Sequence, residues 1–323
     1  MNAKLLARRC IALVAVFASC AALANPYPSK PITLVLPTAP GGAVDNLARV
    51  FAQLLSAQVG QPVIIDNRSG AGGNLSSDFV SKAPSDGSTL LLTLGSTLTI
   101  NPALYKKLPF DPVNGFEPIS VVATSPYVLA AGPSLPVKSI GELIALAKKQ
   151  PGSIHYASAG NGTPNHLFTV MVEAAAGIEL VHIPYKSVAA GYSDVAGGRV
   201  QLMFASLPSL TPFLKSGQLR ALGVSSAKRS PLAPGLPTIA ETLPGYEAVA
   251  WYGLLAPAGT PKEVISKLHE ATVKVLGNKE LREKWAEQGI EPWGSTPVQM
   301  RTLMHADLEK WAKIVRATGA RID

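Results

Sequence analysis

The amino-acid sequence predicts an α/β fold made of two lobes, with mostly parallel sheets and a cleft between them. Short apolar runs alternate with helical segments along the chain, the pattern of parallel strands joined by crossover helices. Two glycine-rich turns far apart in the chain each leave such a run and enter a helix: Pro37-Thr-Ala-Pro-Gly-Gly-Ala-Val-Asp45 and Ser158-Ala-Gly-Asn-Gly-Thr-Pro-Asn165. Two extended passages, near 120–129 and 246–255, bracket a self-contained α/β block, so the backbone crosses between blocks twice. The length of 323 residues allows each block its own core.

Residues 1–24 read as an export signal. Lys4, Arg8 and Arg9 give a cationic start, residues 11–23 are apolar, and Ala22-Leu23-Ala24 offers a small-residue cleavage site. Cleavage after Ala24 places the protein in a bacterial periplasm. The competing reading is lipidation at Cys20, preceded by Phe17-Ala18-Ser19. Both cysteines, Cys10 and Cys20, lie in this segment, so the mature chain has no disulfide, thiol nucleophile or cysteine metal site. Its removal takes three cations and no acid, lowering the formal charge from +8 to +5. With aromatics at 6% and no charge runs, stacking platforms for nucleic acid are not expected.

A strand at 32–36 leads through the first glycine turn into a helix at 44–59, where Leu47, Val50, Phe51, Leu54 and Leu55 fall at helical spacing. A strand at 62–65 precedes a third glycine turn, Asn67-Arg-Ser-Gly-Ala-Gly-Gly-Asn74, and a helix at 75–82. A buried strand at 89–94 ends at Gly95-Ser96-Thr97, and a long extended stretch covers 121–131. The helix at 140–149 carries Ser139 and Glu142 at capping-box spacing. A strand at 154–157 then leads through the second turn to a helix at 167–176. Further strands are expected at 180–183, 200–205 and 219–225, and an extended stretch at 246–256 around Trp251. Helices at 261–276, 279–288 and 297–318 close the chain. The mature chain therefore divides into a first lobe, 25–125 with 246–323, and a second, 126–245.

Ligands of open α/β sheets sit beyond the carboxyl ends of the strands. Four such ends, 37–45, 95–97, 158–165 and 205–209, are rich in Gly, Ser, Thr or Ala and poor in charge. A glycine turn at a helix N-terminus presents backbone N–H groups to an anion, and neither key turn contains Lys or Arg. Two half-sites closing on one small anion follow. Asp45 is an acid within such a turn, read either as a cap on its own helix or as an acceptor for a ligand donor. Ser96 and Thr97 are strand-end turn residues or partners for a distal polar group of the ligand. His166 faces either a ligand or the helix surface. Ser158 as a nucleophile would need a His and an acid that spacing does not identify, and Tyr156-Ala-Ser-Ala-Gly160 lacks the first glycine of a nucleophile elbow. Gly70-Ala-Gly-Gly-Asn-Leu75 fails the dinucleotide fingerprint, and the five histidines show no paired metal spacing. No cofactor is expected.

The chain resembles the periplasmic solute receptors of tripartite tricarboxylate transporters, the Bug-type or TctC-like proteins. The resemblance runs through Tyr27-Pro-Ser-Lys-Pro-Ile32, Pro40-Gly-Gly42 with Asp45, Asn67-Arg68, Gly70-Ala-Gly-Gly73, Asp86-Gly87 and Asn101-Pro-Ala-Leu-Tyr105. It continues through Asp111-Pro112, Tyr156-Ala-Ser-Ala-Gly160, His182-Ile-Pro-Tyr-Lys186, Pro237-Thr238 with Glu241, and Pro257-Ala-Gly-Thr-Pro261. It implies a periplasmic-binding-protein (flytrap-type) fold, two mixed β-sheets joined by a two-strand hinge, with no catalysis. It further implies a monomer that captures a small carboxylate (a dicarboxylate, an aromatic acid or an amino acid) and delivers it to membrane permease subunits. The ligand carboxylate would be held by Thr38, Ala39, Gly41, Gly42 and Asp45 on one lobe. Ser158, Gly160, Asn161, Gly162 and Thr163 would hold it on the other. Two departures fall in the second lobe: Ala205 stands where similar proteins carry an acid after Leu202-Met-Phe204, and Ser187 where they carry glycine. Specificity at the distal half of the site therefore does not carry over from the relatives. A sensor or adaptor subunit that binds the same ligand is the alternative in a different class.

Overall fold

The computed structural model describes residues 27–41, 43–185, 188–319 and 321. The first part of the chain runs β1 (Ile32–Leu36), α1 (Ala43–Val59), β2 (Val63–Asn67), a 3₁₀ turn at Ala71–Gly73, α2 (Asn74–Ser81) and β3 (Thr89–Leu94). Two short helices follow, α3 (Gly95–Thr99) and α4 (Asn101–Leu104), and then the 16-residue β4 (Phe116–Ala131). The middle of the chain is α5 (Ile140–Lys149), β5 (His155–Ser158), α6 (Pro164–Ala176), β6 (Val181–Pro184), α7 (Val188–Ala196), β7 (Leu202–Ser206), α8 (Leu207–Lys215) and β8 (Arg220–Val224). After a 3₁₀ turn at Ile239–Glu241 come β9 (Val249–Pro257), α9 (Lys262–Leu276), α10 (Lys279–Glu287), the two-residue β10 (Glu291–Pro292) and α11 (Pro297–Thr318).

The strands form two mixed sheets that share β4. The first is ordered β2-β1-β3-β9-β4-β10 and the second β6-β5-β7-β4-β8. In each, the strand that leads into a key glycine turn is parallel to both its neighbours, β1 with β2 and β3, β5 with β6 and β7. Partners of β4 change at its middle. Phe116 to Pro126 pair with β9, and Tyr127 to Ala131 pair with β7. The backbone returns beside this point. Ser225 donates its N–H to Tyr127 O at 2.8 Å, its hydroxyl accepts Tyr127 N–H at 2.9 Å, and its carbonyl accepts Ala248 N–H at 2.9 Å, one residue before β9.

Each lobe has apolar clusters on both sheet faces. In the first, α1 and α9 bury Leu47, Phe51 and Leu268 against Leu34, Leu92 and Leu254. On its other face, Val80, Leu98, Met300 and Met304 cover Val35, Leu91 and Trp251. In the second lobe, Leu143, Phe168 and Phe204 lie in one cluster, and Met203, Ala205 and Leu210 in the other. Helix α11 joins both lobes: Met300 and Met304 belong to the first core, while Trp311 and Val315 belong to the second, with Trp311 stacked on Phe168 at 5.8 Å. Midway along it, Asp307 accepts the Trp251 indole N–H at 2.8 Å and pairs with Lys310 at 2.7 Å.

Helix ends follow sequence chemistry closely. Thr296 and Gln299 form a reciprocal capping box at the start of α11, and Gly319 at φ 63° ends it. Ser139 caps α5 by accepting Glu142 N–H at 3.2 Å. Four helices lie where the sequence predicts none, the short α3 and α4 and the longer α7 and α8. Pro208 and Pro212 obscure α8, and Gly191 lies within α7 where an added Cβ would stand 3.0 Å from that of Ala157. Tertiary packing overrides weak helix propensity at both.

Candidate functional site

The first glycine turn is organised by Asp45. This carboxylate is 1% exposed, and each oxygen accepts two hydrogen bonds. Oδ2 accepts Gly41 N–H and Arg49 Nε, both at 2.8 Å, while Oδ1 accepts Arg49 Nη2 at 3.1 Å and Asn67 Nδ2 at 3.0 Å. Burial alone would raise the Asp45 pKa, but the Arg49 guanidinium, the Gly41 N–H and the Asn67 amide outweigh it and hold it at about 2. Asp45 thus fixes the loop, and its acceptor positions are filled without a ligand. The Asn67 amide also donates to Thr38 O at 2.9 Å. Gly41, at φ 83°, supplies the left-handed step that turns its N–H back to Asp45. Gly42 lies outside the described residues. The groups left open are the N–H of Thr38 and of Ala39, which find no partner among the described residues, and the buried Thr38 hydroxyl, which also has none.

The second turn is built the same way from different parts. Gly160 N–H donates to Ser158 Oγ at 3.0 Å, and Gly162 N–H donates to His166 Nδ1 at 3.1 Å. The Thr163 hydroxyl donates to Gly160 O at 2.7 Å. Gly160 and Gly162 hold φ of 109° and 76°. These two glycines and Thr163 therefore shape the turn, and the donors left without a partner among the described residues include the N–H groups of Ala159 and Asn161, with the exposed Asn161 side chain. Ala159 is an open donor that sequence reading does not single out. Its only signal was its place between a strand end and a left-handed glycine.

Residues 95–104 connect the turns. The Thr97 hydroxyl and the Asn101 amide both donate to Gly72 O at 3.1 Å, locking the third glycine turn. An added Cβ on Gly73 would meet Thr97 Oγ1 at 2.6 Å and Pro37 Cβ at 3.1 Å, so the first and third turns and the end of β3 form one packed rim. Thr97 serves as a clamp on this rim. At the far end of the segment, Leu104 Cδ1 stands 2.6 Å from where a Gly162 Cβ would sit, bringing the second lobe's turn against the first lobe. Ser96 lines a small internal space of about 80 Å³ shared with Pro164, Phe168, Tyr127 and Trp251.

His166 and Ala205 are placed differently from a ligand contact. His166 is 6% exposed, with Nδ1 engaged by Gly162. Burial, and then neighbouring His182, push its pKa down to about 4, so the ring is neutral at ordinary pH. Ala205 is buried among Val128, Met203 and Leu210, and its methyl offers nothing to a solute. Ser187 and Lys186 lie outside the described residues.

One pairing bears on catalysis. His182 Nε2 stands 2.5 Å from Ser158 Oγ, the Ser–His contact that spacing did not identify. Ser158 is 2% exposed and its hydroxyl already accepts Gly160 N–H, so it is enclosed in the turn rather than presented to a substrate. No carboxylate partner orients His182 among the described residues. A separate concavity of about 440 Å³ lies beside the strand crossing, lined by Trp251, Asp307, Trp293, Lys228 and Glu247 among others, and contains no glycine-turn residue. Among the described residues no group of His, Cys, Asp and Glu can hold a metal ion, and no helix is long and apolar enough to cross a membrane.

Comparison with known proteins gives the family. Residues 47–320 match the tripartite tricarboxylate transporter family receptor (TctC). The chain is 35% identical to Protein BugT of Bordetella pertussis over 321 residues, covering 97% of this chain and 98% of that protein. Among solved structures, R. palustris Rpa4515 with adipate is 37% identical with a TM-score of 0.76, over 92% of this chain and 100% of that one. MatC from Rhodopseudomonas palustris with bound malate is 28% identical with a TM-score of 0.71, over 90% and 100%. A TctC solute-binding protein from Polaromonas, solved without ligand, is 26% identical with a TM-score of 0.81, over 90% and 99%. Two lobes sharing a long strand, turns with open backbone donors and an enclosed serine fit what these relatives are. The chain belongs to the tripartite tricarboxylate transporter receptor family, and is a solute-binding receptor rather than an enzyme.

Proposed function

We propose that this receptor captures a small carboxylate between its two glycine turns and delivers it to the membrane permease of a tripartite tricarboxylate-type transporter. The observation that carries this reading is the set of unpaired donors on the two lobes: Thr38 and Ala39 N–H with the orphaned Thr38 hydroxyl on one, Ala159 and Asn161 N–H on the other. The amides of Gly41, Gly160 and Gly162 are occupied internally while neighbouring ones stay open, an arrangement suited to an anion held by neutral dipoles. Hydrogen bonds to a charged group contribute roughly 1.5–3 kcal/mol each, so four supply about 6–12 kcal/mol before ordering costs. A micromolar complex needs about 8 kcal/mol. The adipate and malate bound by two relatives support a dicarboxylate.

The closing units are residues 25–125 with 246–323 and residues 126–245, moving about the joint at Ser125–Tyr127 and Ala248–Val249, with the ligand line of Thr38, Ala39, Ala159 and Asn161 between them. The receptor acts in the periplasm as a monomer after cleavage behind Ala24. A thermal-shift screen of residues 25–323 against small carboxylates and their matched amides tests the reading. Ligand at a hundred times its dissociation constant adds about 2.7 kcal/mol. Shifts with acids and none with amides are expected, and shifts confined to the amides would overturn the carboxylate site.

A further inference from the structure

Two histidines stand behind the second glycine turn. His166 lies in the first turn of α6 and His182 within β6, and their rings stack with centroids 4.2 Å apart and planes 20° from parallel. Tyr156 of β5 continues the stack, 4.9 Å from His182 and 6.4 Å from His166. Both rings hold the same short turn. His166 Nδ1 accepts Gly162 N–H at 3.1 Å, and His182 Nε2 meets Ser158 Oγ at 2.5 Å, the atom that accepts Gly160 N–H.

We propose that the His166–His182 stack is a proton-sensitive clamp that positions the second glycine turn for its ligand and releases it when His166 takes a proton at Nδ1. The proposal rests on the receptor reading above and assigns to both histidines a positioning role. A neutral imidazole accepts at one nitrogen, whereas an imidazolium only donates. A proton on His166 Nδ1 therefore sets donor against donor at Gly162, in a buried position where an unpaired N–H is costly. The turn has no slack to absorb this, because Gly162 sits at φ 76° with Leu104 packed against it.

His182 behaves differently. If protonated, its Nε2 donates to Ser158 Oγ while the serine hydrogen turns to Gly160 O, 3.2 Å away. The switch therefore resides in His166, and a charge on His182 in the stack opposes it. The titratable groups facing His166 are His182 from β6, Tyr156 from β5 and Glu173 farther along α6. Helix α11 brings Ala317 and Thr318 to the same groove. Burial and His182 lower the His166 pKa to about 4, and burial lowers that of His182, so the clamp is closed at neutral pH.

The test is NMR of the mature chain with labelled histidine and glycine, followed from pH 7.5 to 3.5, with adipate as the binding probe. The Gly162 amide is expected to move with the same midpoint as the His166 ring, near pH 4. In His166→Asn, whose side-chain oxygen replaces Nδ1 as a non-titrating acceptor, that movement is expected to vanish. The ratio of wild-type to His166→Asn dissociation constants for adipate cancels the probe's own titration. Relative to its value at pH 7.5, it should stay constant down to pH 5.5, rise about twofold by pH 4 and about fourfold by pH 3.5, as the competent fraction falls. A Gly162 amide that stays still while His166 titrates, or a constant ratio, would overturn the clamp. If adipate binds neither protein, adipate fails as a ligand, and the amide titration of wild type alone still decides the clamp.

Discussion

Asp45 and His166 do the same work on opposite lobes, each accepting the N–H of a left-handed glycine and so fixing the turn that carries it. Removing such an acceptor leaves several donors unpaired at once. Asp45→Ala strips Gly41, Asn67 and Arg49 of their partner and should cost about 1.5–3 kcal/mol in urea denaturation. A loss below 0.5 kcal/mol would mean that water replaces the carboxylate freely. At this scale the sequence was only partly legible. Glycine, small and hydroxyl residues after a strand announce an anion turn, and both turns could be placed from them. Which amides remain open could not be read, because the acceptors that occupy the others are Asp45, Ser158 and His166, and these are held in place by Arg49, Asn67 and His182, whose approach depends on the packed sheet.

Among the elements, α11 has the clearest local signals and the least local role. The Thr296 capping box and Gly319 mark both ends, and its bounds are those expected from sequence. That its first half serves one core and its second half the other is a matter of tertiary register, with no trace in periodicity. The contact at its middle is testable. Asp307→Ala leaves the buried Trp251 indole N–H without an acceptor and Lys310 without its partner, and should destabilise by about 1–3 kcal/mol. An accompanying change in tryptophan emission would localise the loss to this contact. The missed α7 and α8 show the converse case, helices formed where prolines and glycine hide the period and packing decides.

For the whole molecule, the ionisable groups in the turns predict how stability varies with acid. His166 stays neutral in the fold at pH values where the unfolded chain, with an ordinary pKa near 6.5, has taken up a proton. The unfolded state then binds more protons, so stability is full above about pH 6.5 and declines toward pH 4. Asp45 adds a second decline from about 3.8 toward 2, since its folded carboxylate resists protonation. Urea midpoints measured between pH 7.5 and 3.5 should fall through the first window in wild type and lie flatter in His166→Asn. Equal slopes would remove His166 from the account.

The straddling of both cores by α11 also bears on how the chain comes into being. Met300 and Met304 complete one core, Trp311 and Val315 the other, and these follow nearly every residue they pack against in order of synthesis. A nascent chain lacks the last pieces of both lobes until residue 315 has emerged from the ribosome. Until then the one face of each sheet that α11 covers stays open to water, so neither lobe completes its burial before this last segment arrives.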